Sequence, residues 1–244
     1  MVRKLRAFHE FESSVQVGDF IELCEEESLH LARVLRVKEQ QFVEILNGKG
    51  GLVEGKCVQV FYQQVKLEVT AVESVSPVQP DICLGVAWTK GRKWEEMIRP
   101  LTELGVCRIT PLLTQRTEAR GPSVKFESKR RKWCKLAIEA CKQSGNPWIP
   151  TIDLPSTLSD FICDHSSSGE LWIGSLDANK EKLQPSSSAS RVSLLIGPEG
   201  GWSTDEEKFV CEEGGRPFSL GPYALRVESA ALSALAVARS AHLG

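Results

Sequence analysis

No stretch of this sequence approaches the roughly twenty consecutive apolar residues that a membrane-spanning helix needs. The opening Met1-Val-Arg-Lys-Leu-Arg6 leads into acids rather than an apolar signal core, so the expected location is the cytoplasm, with no membrane partner. Paired cysteines are also missing. Cys24, Cys57, Cys83, Cys107, Cys134, Cys141, Cys163 and Cys211 are scattered without a Cys-x-x-Cys, and no histidine stands at metal-ligand spacing. In a reducing compartment such residues read as small core hydrophobes, and no metal is expected. Two nucleotide signatures are absent as well. No glycine loop carries the Lys-Ser/Thr of a phosphate loop, and no Gly-x-Gly-x-x-Gly follows an early strand, so a nucleoside triphosphate or dinucleotide is a poor candidate ligand.

What is present is ordinary in bulk and uneven in detail. At 244 residues, 41% hydrophobic and 25% charged, the chain can fill one large domain or two smaller ones. The formal net charge of −2 hides three basic clusters: Arg3, Lys4 and Arg6; Arg33, Arg36 and Lys38 after His30; and Lys125, Lys129, Arg130, Arg131, Lys132 and Lys135 against Glu127 alone. Any one of these reads as a solvated face. Three in an otherwise acidic chain point to a polyanion partner, because phosphates are contacted chiefly by Lys and Arg.

The pattern changes once along the chain. Up to about residue 74 it is β-rich, with runs at Val15–Leu23, Phe42–Leu46, Lys56–Tyr62 and Val65–Val72, a turn at Asn47–Gly51, and a short helical turn over Leu31, Val34 and Leu35. A small β-barrel over 1–74 is the expectation. After the proline-bearing stretch Glu73–Asp81, strand and helix patterns alternate over 75–244. Strands are predicted at Ile82–Trp88, Arg108–Leu113, Leu171–Leu176 and Val192–Ile196. Helices are predicted through Trp94 to Leu104, from Phe126 to Ser144, from Thr204 to Glu213, and from Val227 onward. Ser203 and Glu206 make a capping-box signature, while Pro100 should kink or shorten its helix. Such alternation predicts an α/β domain with a mainly parallel sheet.

Two glycine turns carry the chemistry, Ile196-Gly-Pro-Glu-Gly-Gly-Trp202 and Leu220-Gly-Pro-Tyr-Ala-Leu-Arg226. Each follows a strand-like stretch and precedes a helix. In a parallel sheet, ligands sit at the carboxyl ends of strands, where glycine leaves backbone groups bare. Either turn alone reads as a stiff turn around Pro198 or Pro222. Both together read as a cradle, and their late position argues against an ordinary Rossmann-type methyltransferase.

Leu194-Leu-Ile-Gly-Pro-Glu-Gly-Gly-Trp-Ser203 with Leu220-Gly-Pro-Tyr-Ala-Leu-Arg-Val-Glu-Ser-Ala-Ala-Leu232 resembles the signature of the RsmE family. These are SPOUT-superfamily enzymes that methylate N3 of a uridine in 16S ribosomal RNA with S-adenosylmethionine. His30–Arg36, Lys90-Gly91, Thr102–Val106 and Glu139–Gly145 extend the resemblance over most of the chain. It implies a PUA-like β-barrel that helps hold RNA, then a trefoil-knotted SPOUT domain that binds the cofactor and forms a homodimer. The small-residue helix Ala230–Ala238 suits a subunit interface, though an ordinary buried helix looks the same.

By that resemblance, Leu195, Ile196, Gly197, Pro198, Glu199, Gly200, Gly201, Leu220, Gly221, Pro222, Leu225 and Arg226 wrap the cofactor. Arg226, Glu199 and Glu228 are the candidate catalytic side chains: a cation for charge on the uracil oxygens, and two carboxylates for the N3 proton, with a positioned water as a further acceptor. An Arg226–Glu228 ion pair fixing the last helix is the structural alternative. Candidate RNA contacts are Arg3, Arg6, His30, Arg33, Arg36, Lys90, Arg116, Lys129 and Arg130, with the small ribosomal subunit as the implied partner. Tyr223, Val227, Ser229, Trp202 and Pro100 depart from the family's usual residues. A SPOUT enzyme acting on another nucleotide, or a cofactor-free RNA-binding assembly protein, are the competing readings.

Overall fold

The computed structural model describes residues 4–12, 14–61, 63–89, 92–117, 123–165, 169–177 and 180–241. Arg3 and Lys90, two of the candidate RNA contacts, lie outside them. Contacts divide the chain into two compact units, Met1–Pro77 with Ile138–Ile149, and Val78–Ala137 with Pro150–Gly244.

The first unit holds β1 (Arg6–Phe8), β2 (Phe20–Glu22), α1 (Glu25–Leu29), a π-helical turn (His30–Leu35), β3 (Phe42–Leu46), β4 (Gly51–Phe61) and β5 (Gln64–Ser74). The strands form one sheet in the order β1-β3-β4-β5-β2, antiparallel except for β1 beside β3. Period-two alternation puts Val43, Ile45, Val53, Cys57, Val65, Leu67 and Val69 on one face, where Ala7, Ile21 and Leu31 complete the core. Strand β4 begins at Gly51 rather than Lys56. Gly51, read as the end of a turn, pairs with Ser74, and the long strand stays regular apart from register shifts at Glu54/Gly55 and Cys57/Gln59. Conversely, the run from Val15 yields only β2, since the Gln16 N–H donates to the Asp19 carboxylate at 2.8 Å and closes a turn.

Residues 138–149 belong to this unit, whereas the alternating pattern places them in the second domain. Lys142 is the reason. It is buried and paired with Glu27 at 2.6 Å and Glu139 at 2.7 Å. Burial pulls its pKa down, but the hydrogen bonds to Glu139 and Glu27 outweigh it and hold the ammonium above its ordinary value. Arg6 adds hydrogen bonds to the Lys142 and Gln143 carbonyls, and the Trp148 indole donates to the Val75 carbonyl at 3.1 Å.

The second unit holds β6 (Asp81–Ala87), α2 (Lys93–Glu103), β7 (Arg108–Leu113), the first part of α3 (Ser123–Ser144), β8 (Thr151–Ile152), β9 (Ser156–Thr157), α4 (Leu158–His165) and β10 (Glu170–Gly174). It continues with β11 (Glu181–Lys182), β12 (Arg191–Ile196), α5 (Thr204–Glu212), β13 (Arg216–Ser219) and α6 (Val227–Ser240). Its sheet runs β11-β13-β10-β12-β6-β7-β8, with β9 also beside β7, and every pairing is parallel. Strands β6 and β12 are apolar almost throughout, as strands covered on both faces must be. Helix α2 runs through Pro100 and stops at Glu103, closed by Gly105 and Val106 N–H groups on the Thr102 and Leu101 carbonyls. Trp88, Trp94 and Trp133 pack ring to ring at 5.2–5.8 Å and join α2 and α3 to the end of β6.

Among the described residues no helix is long and apolar enough to cross a membrane, and no three metal-ligating side chains gather. The cysteines divide: Cys57, Cys83 and Cys141 are buried, while Cys24, Cys163 and Cys211 are exposed on or beside short helices, contrary to a uniform core role.

Candidate functional site

Strand β10 lies between β12 and β13, and because all three run parallel their carboxyl ends emerge on one edge of the sheet. Three loops leave that edge: one from Gly174, one from Gly197 and one from Leu220. With the first turn of α6 they line a concave cleft that is open to solvent, the kind of surface on which small-molecule sites are built.

Of the predicted cofactor residues, Ile196, Gly197, Pro198, Glu199, Gly201, Leu220, Gly221 and Leu225 line this cleft. Leu195 does not, being fully buried in the core with Phe161 and Ile173. Gly200 and Arg226 stand beside the lining, and Pro222 borders a separate groove with Lys180 and Lys182. Gly174, Ser175, Leu176, Phe218, Ser219 and Ala230 line the cleft without having been singled out in the sequence, while Tyr223, Ala224 and Val227 lie in or beside the second glycine turn. A strand end near Leu176 was legible, but only the strand order brings it between the two glycine turns.

Local chemistry sets the turns. Gly201 sits at φ +69° with Leu176 packed 3.0 Å from where a Cβ would stand, whereas no heavy atom lies within 4 Å of that point on Gly221 (φ +143°), which presents bare backbone. The buried Trp202 indole donates to the Gly174 carbonyl at 3.0 Å, fastening the β12 turn to the end of β10. Arg116, a candidate RNA contact, donates to the Gly200 carbonyl and supports the turn from outside. Behind it the capping box forms as expected: the Ser203 hydroxyl accepts from the Glu206 N–H, and the Glu206 carboxylate accepts from the Ser203 N–H at 2.9 Å. The second Glu206 oxygen accepts from the Gln115 N–H at 2.7 Å, which ties the loop after β7 to the same helix start.

Charged groups gather at the mouth. Lys93, in the first turn of α2, forms an ion pair with Glu199. The hydrogen bond from Lys93, then one from its own backbone N–H, holds the Glu199 carboxyl below the usual carboxylate range. Arg226 is exposed at the N-cap of α6. Glu228, in the first turn of α6, has a buried Oε2 without a hydrogen-bond partner. Among the described residues no Arg226–Glu228 ion pair forms, which leaves the helix-clamp alternative without its bond.

The other basic candidates differ in freedom. Arg6 is committed to Glu44 at 2.6 Å and to two backbone carbonyls. His30 and Arg33 line an open cleft that also carries Glu26, Glu27 and Glu139, and Arg36 is exposed where the π-helical turn ends in a left-handed residue. Lys129 lies over the Trp88 ring at 4.4 Å, and Arg130 donates to the Ile152 carbonyl at 2.7 Å.

Residues 76–239 match an RNA methyltransferase domain, and residues 23–56 match an RNA methyltransferase PUA domain. The chain is 32% identical over 214 residues to the ribosomal RNA small subunit methyltransferase E of Synechocystis sp., covering 85% of this chain and 68% of that one. It is 31% identical over 234 residues to the protein of that name from Aquifex aeolicus, covering 94% and 98%. Among solved structures, a putative methyltransferase from Legionella pneumophila in complex with the bound cofactor SAM is similar with a TM-score of 0.87, at 32% identity over 98% of each chain. Together with the cradle of three strand ends, these matches show that the chain belongs to the ribosomal RNA small subunit methyltransferase E family.

Proposed function

We propose that this protein transfers a methyl group from S-adenosylmethionine to N3 of a uridine in 16S ribosomal RNA, acting on the small ribosomal subunit in the cytoplasm as a homodimer. The observation that carries the reading is the cleft itself: backbone from three parallel strand ends, apolar side chains on its walls and one ionised lining residue, Glu199, paired with Lys93. That division suits the cofactor. Ile196, Leu220 and Leu225 would face its apolar parts, the backbone of both glycine turns would meet its polar edges, and no Lys-Ser/Thr is present to favour a triphosphate instead.

When bound, S-adenosylmethionine supplies a methyl carbon on a positively charged sulfur. The chain's own task is alignment, because an in-line displacement needs the attacking nitrogen at near-attack distance. Uridine N3 carries a proton at neutral pH. Glu199 and Glu228 are the carboxylates available to receive it, and the exposed Arg226 is the cation placed to stabilise charge on the uracil oxygens.

The first unit is read as a PUA-like barrel that helps hold RNA, with Arg33 and Arg36 among its exposed cations. A trefoil knot in the second unit accords with α6 packing on β6 and β12 although β13, which precedes it, lies beyond β10. Helix α6 buries Val227, Ala231, Ala234, Leu235 and Ala238 within its own chain, leaving a face with Ser233, Ala236 and Val237 for a second copy. Calorimetric titration with S-adenosylmethionine, run beside sedimentation, tests the reading. Binding by a dimer is expected; absence of binding would contradict the cofactor, and a fully active monomer would contradict the homodimer.

A further inference from the structure

Four charged side chains from three segments meet at the mouth of the cleft. Lys93 comes from the start of α2, Glu199 from the turn after β12, and Arg226 and Glu228 from the start of α6. The other three all act on Lys93 electrostatically. The Lys93 ammonium is held above its ordinary pKa first by its hydrogen bond to Glu199, with the Glu228 charge adding to the effect and the Arg226 charge opposing it.

The two carboxylates are not equivalent. Glu199 is already occupied, since its Oε1 accepts from Lys93. Taking a further proton would require that ion pair to break. Glu228 has a buried oxygen with no partner at all, an arrangement that folded proteins rarely keep unless something else uses the group. Arg226, two residues earlier, has no ion-pair partner among the described residues.

We propose that Lys93 is a positioning residue for methyl transfer: by holding Glu199 across the cleft mouth it removes Glu199 from the proton chemistry and leaves Glu228 as the proton acceptor. The inference rests on the reading of this cleft as the methyl-transfer site. In the step it describes, the N3–H bond breaks toward a Glu228 oxygen. The electron pair left on N3 forms the new bond to the methyl carbon, and the carbon–sulfur pair returns to sulfur. Because N3 holds its proton more tightly than a carboxylate does, proton transfer accompanies N–C bond formation rather than preceding it. The Glu228 carboxylic acid then loses its proton to water. Lys93 never touches the reacting atoms; its effect runs through Glu199.

Steady-state kinetics of the intact protein on small ribosomal subunits, with S-adenosylmethionine affinity measured alongside, tests this with five variants. Glu228→Gln, nearly isosteric, is expected to lower kcat by about 100-fold or more, the usual weight of a general base, while cofactor affinity stays within about twofold. Lys93→Ala is expected to lower kcat about tenfold at unchanged cofactor affinity, and Lys93→Arg to restore most of it. The double variant Lys93→Ala/Glu199→Gln is expected to be no slower than the slower of its two single variants, as for residues acting through one contact. Three results would overturn the proposal: a Glu228→Gln enzyme keeping a third or more of its kcat, a Lys93→Arg enzyme as slow as Lys93→Ala, or additive losses in the double variant. A wild-type protein that binds no cofactor and transfers no methyl group would instead remove the reading on which the proposal stands.

Discussion

Replacing Trp202 should show how firmly the cleft is held together. Its ring is 7% exposed, lies in a core cluster with Leu112, Phe161 and Leu195, and packs against Gly197, while its N–H donates to the Gly174 carbonyl at 3.0 Å. Trp202→Phe keeps an aromatic ring and removes the side-chain hydrogen bond from the β12 turn to the end of β10. A net loss of about 0.5–1.5 kcal/mol follows from the usual worth of such a bond. Trp202→Ala also empties the ring's volume and should cost about 3–5 kcal/mol. Urea unfolding with an unchanged slope measures both. If the loosened turn must be reordered when S-adenosylmethionine binds, about 1 kcal/mol corresponds to a rise in Kd of roughly fivefold for the Phe variant, at about 1.4 kcal/mol per tenfold. Trp202→Phe with unchanged stability and Kd would refute the fastening role, and so would a Trp202→Ala loss below about 1 kcal/mol.

Lys142→Met leaves the buried Glu27 carboxylate without its cation and should destabilise the first unit by about 3–5 kcal/mol, read by denaturant unfolding. With Lys142 held above its ordinary pKa of 10.5, the wild-type advantage is full below that pH and is lost as pH rises through the higher folded value. For Glu44, burial raises the pKa but the hydrogen bonds from Lys4 and Arg6 outweigh it and lower it below 4.5. Its contribution is therefore present above that value and disappears in acid, so a Glu44→Gln stability deficit seen at neutral pH should vanish in thermal melts run below the folded pKa. Arg33→Ala and Arg36→Ala should weaken binding to ribosomal RNA and reduce the slope of log affinity against log salt by about 0.7–0.9 per lost phosphate contact, in filter-binding titrations; an unchanged slope would remove them from the RNA interface.

Much of the site was legible because its signals are local. The two glycine turns, the Ser203–Glu206 cap and the helical spacing in α2 and α6 depend on residues a few positions apart, and the structure places them as their spacing predicts. What stayed hidden is set by pairing over long sequence distances. Nothing near Gly174 announces that β10 separates β12 from β13, and nothing near Lys93 announces that Glu199 is its partner. The stretch 151–165, where β8, β9 and α4 form, carries strands of two residues each, too short for any periodicity to register. Residues 138–149 read as an ordinary helix end because the buried charge at Lys142 is explained only by Glu27, more than a hundred positions away. Basic residues show the same limit: nothing in the sequence announces that Arg6 bonds Glu44 and two carbonyls of the 142–143 segment, or that Arg116 donates to the Gly200 carbonyl.

The central claim is the transfer of a methyl group to N3 of a uridine in 16S ribosomal RNA. Mass spectrometry of nuclease digests of that RNA, from cells with and without the protein and after incubation of unmethylated small subunits with the protein and S-adenosylmethionine, measures it directly. The account predicts one N3-methyluridine that is lost without the protein and restored by it. RNA that keeps this mark in its absence, or loses a methyl group from another base instead, would contradict the account.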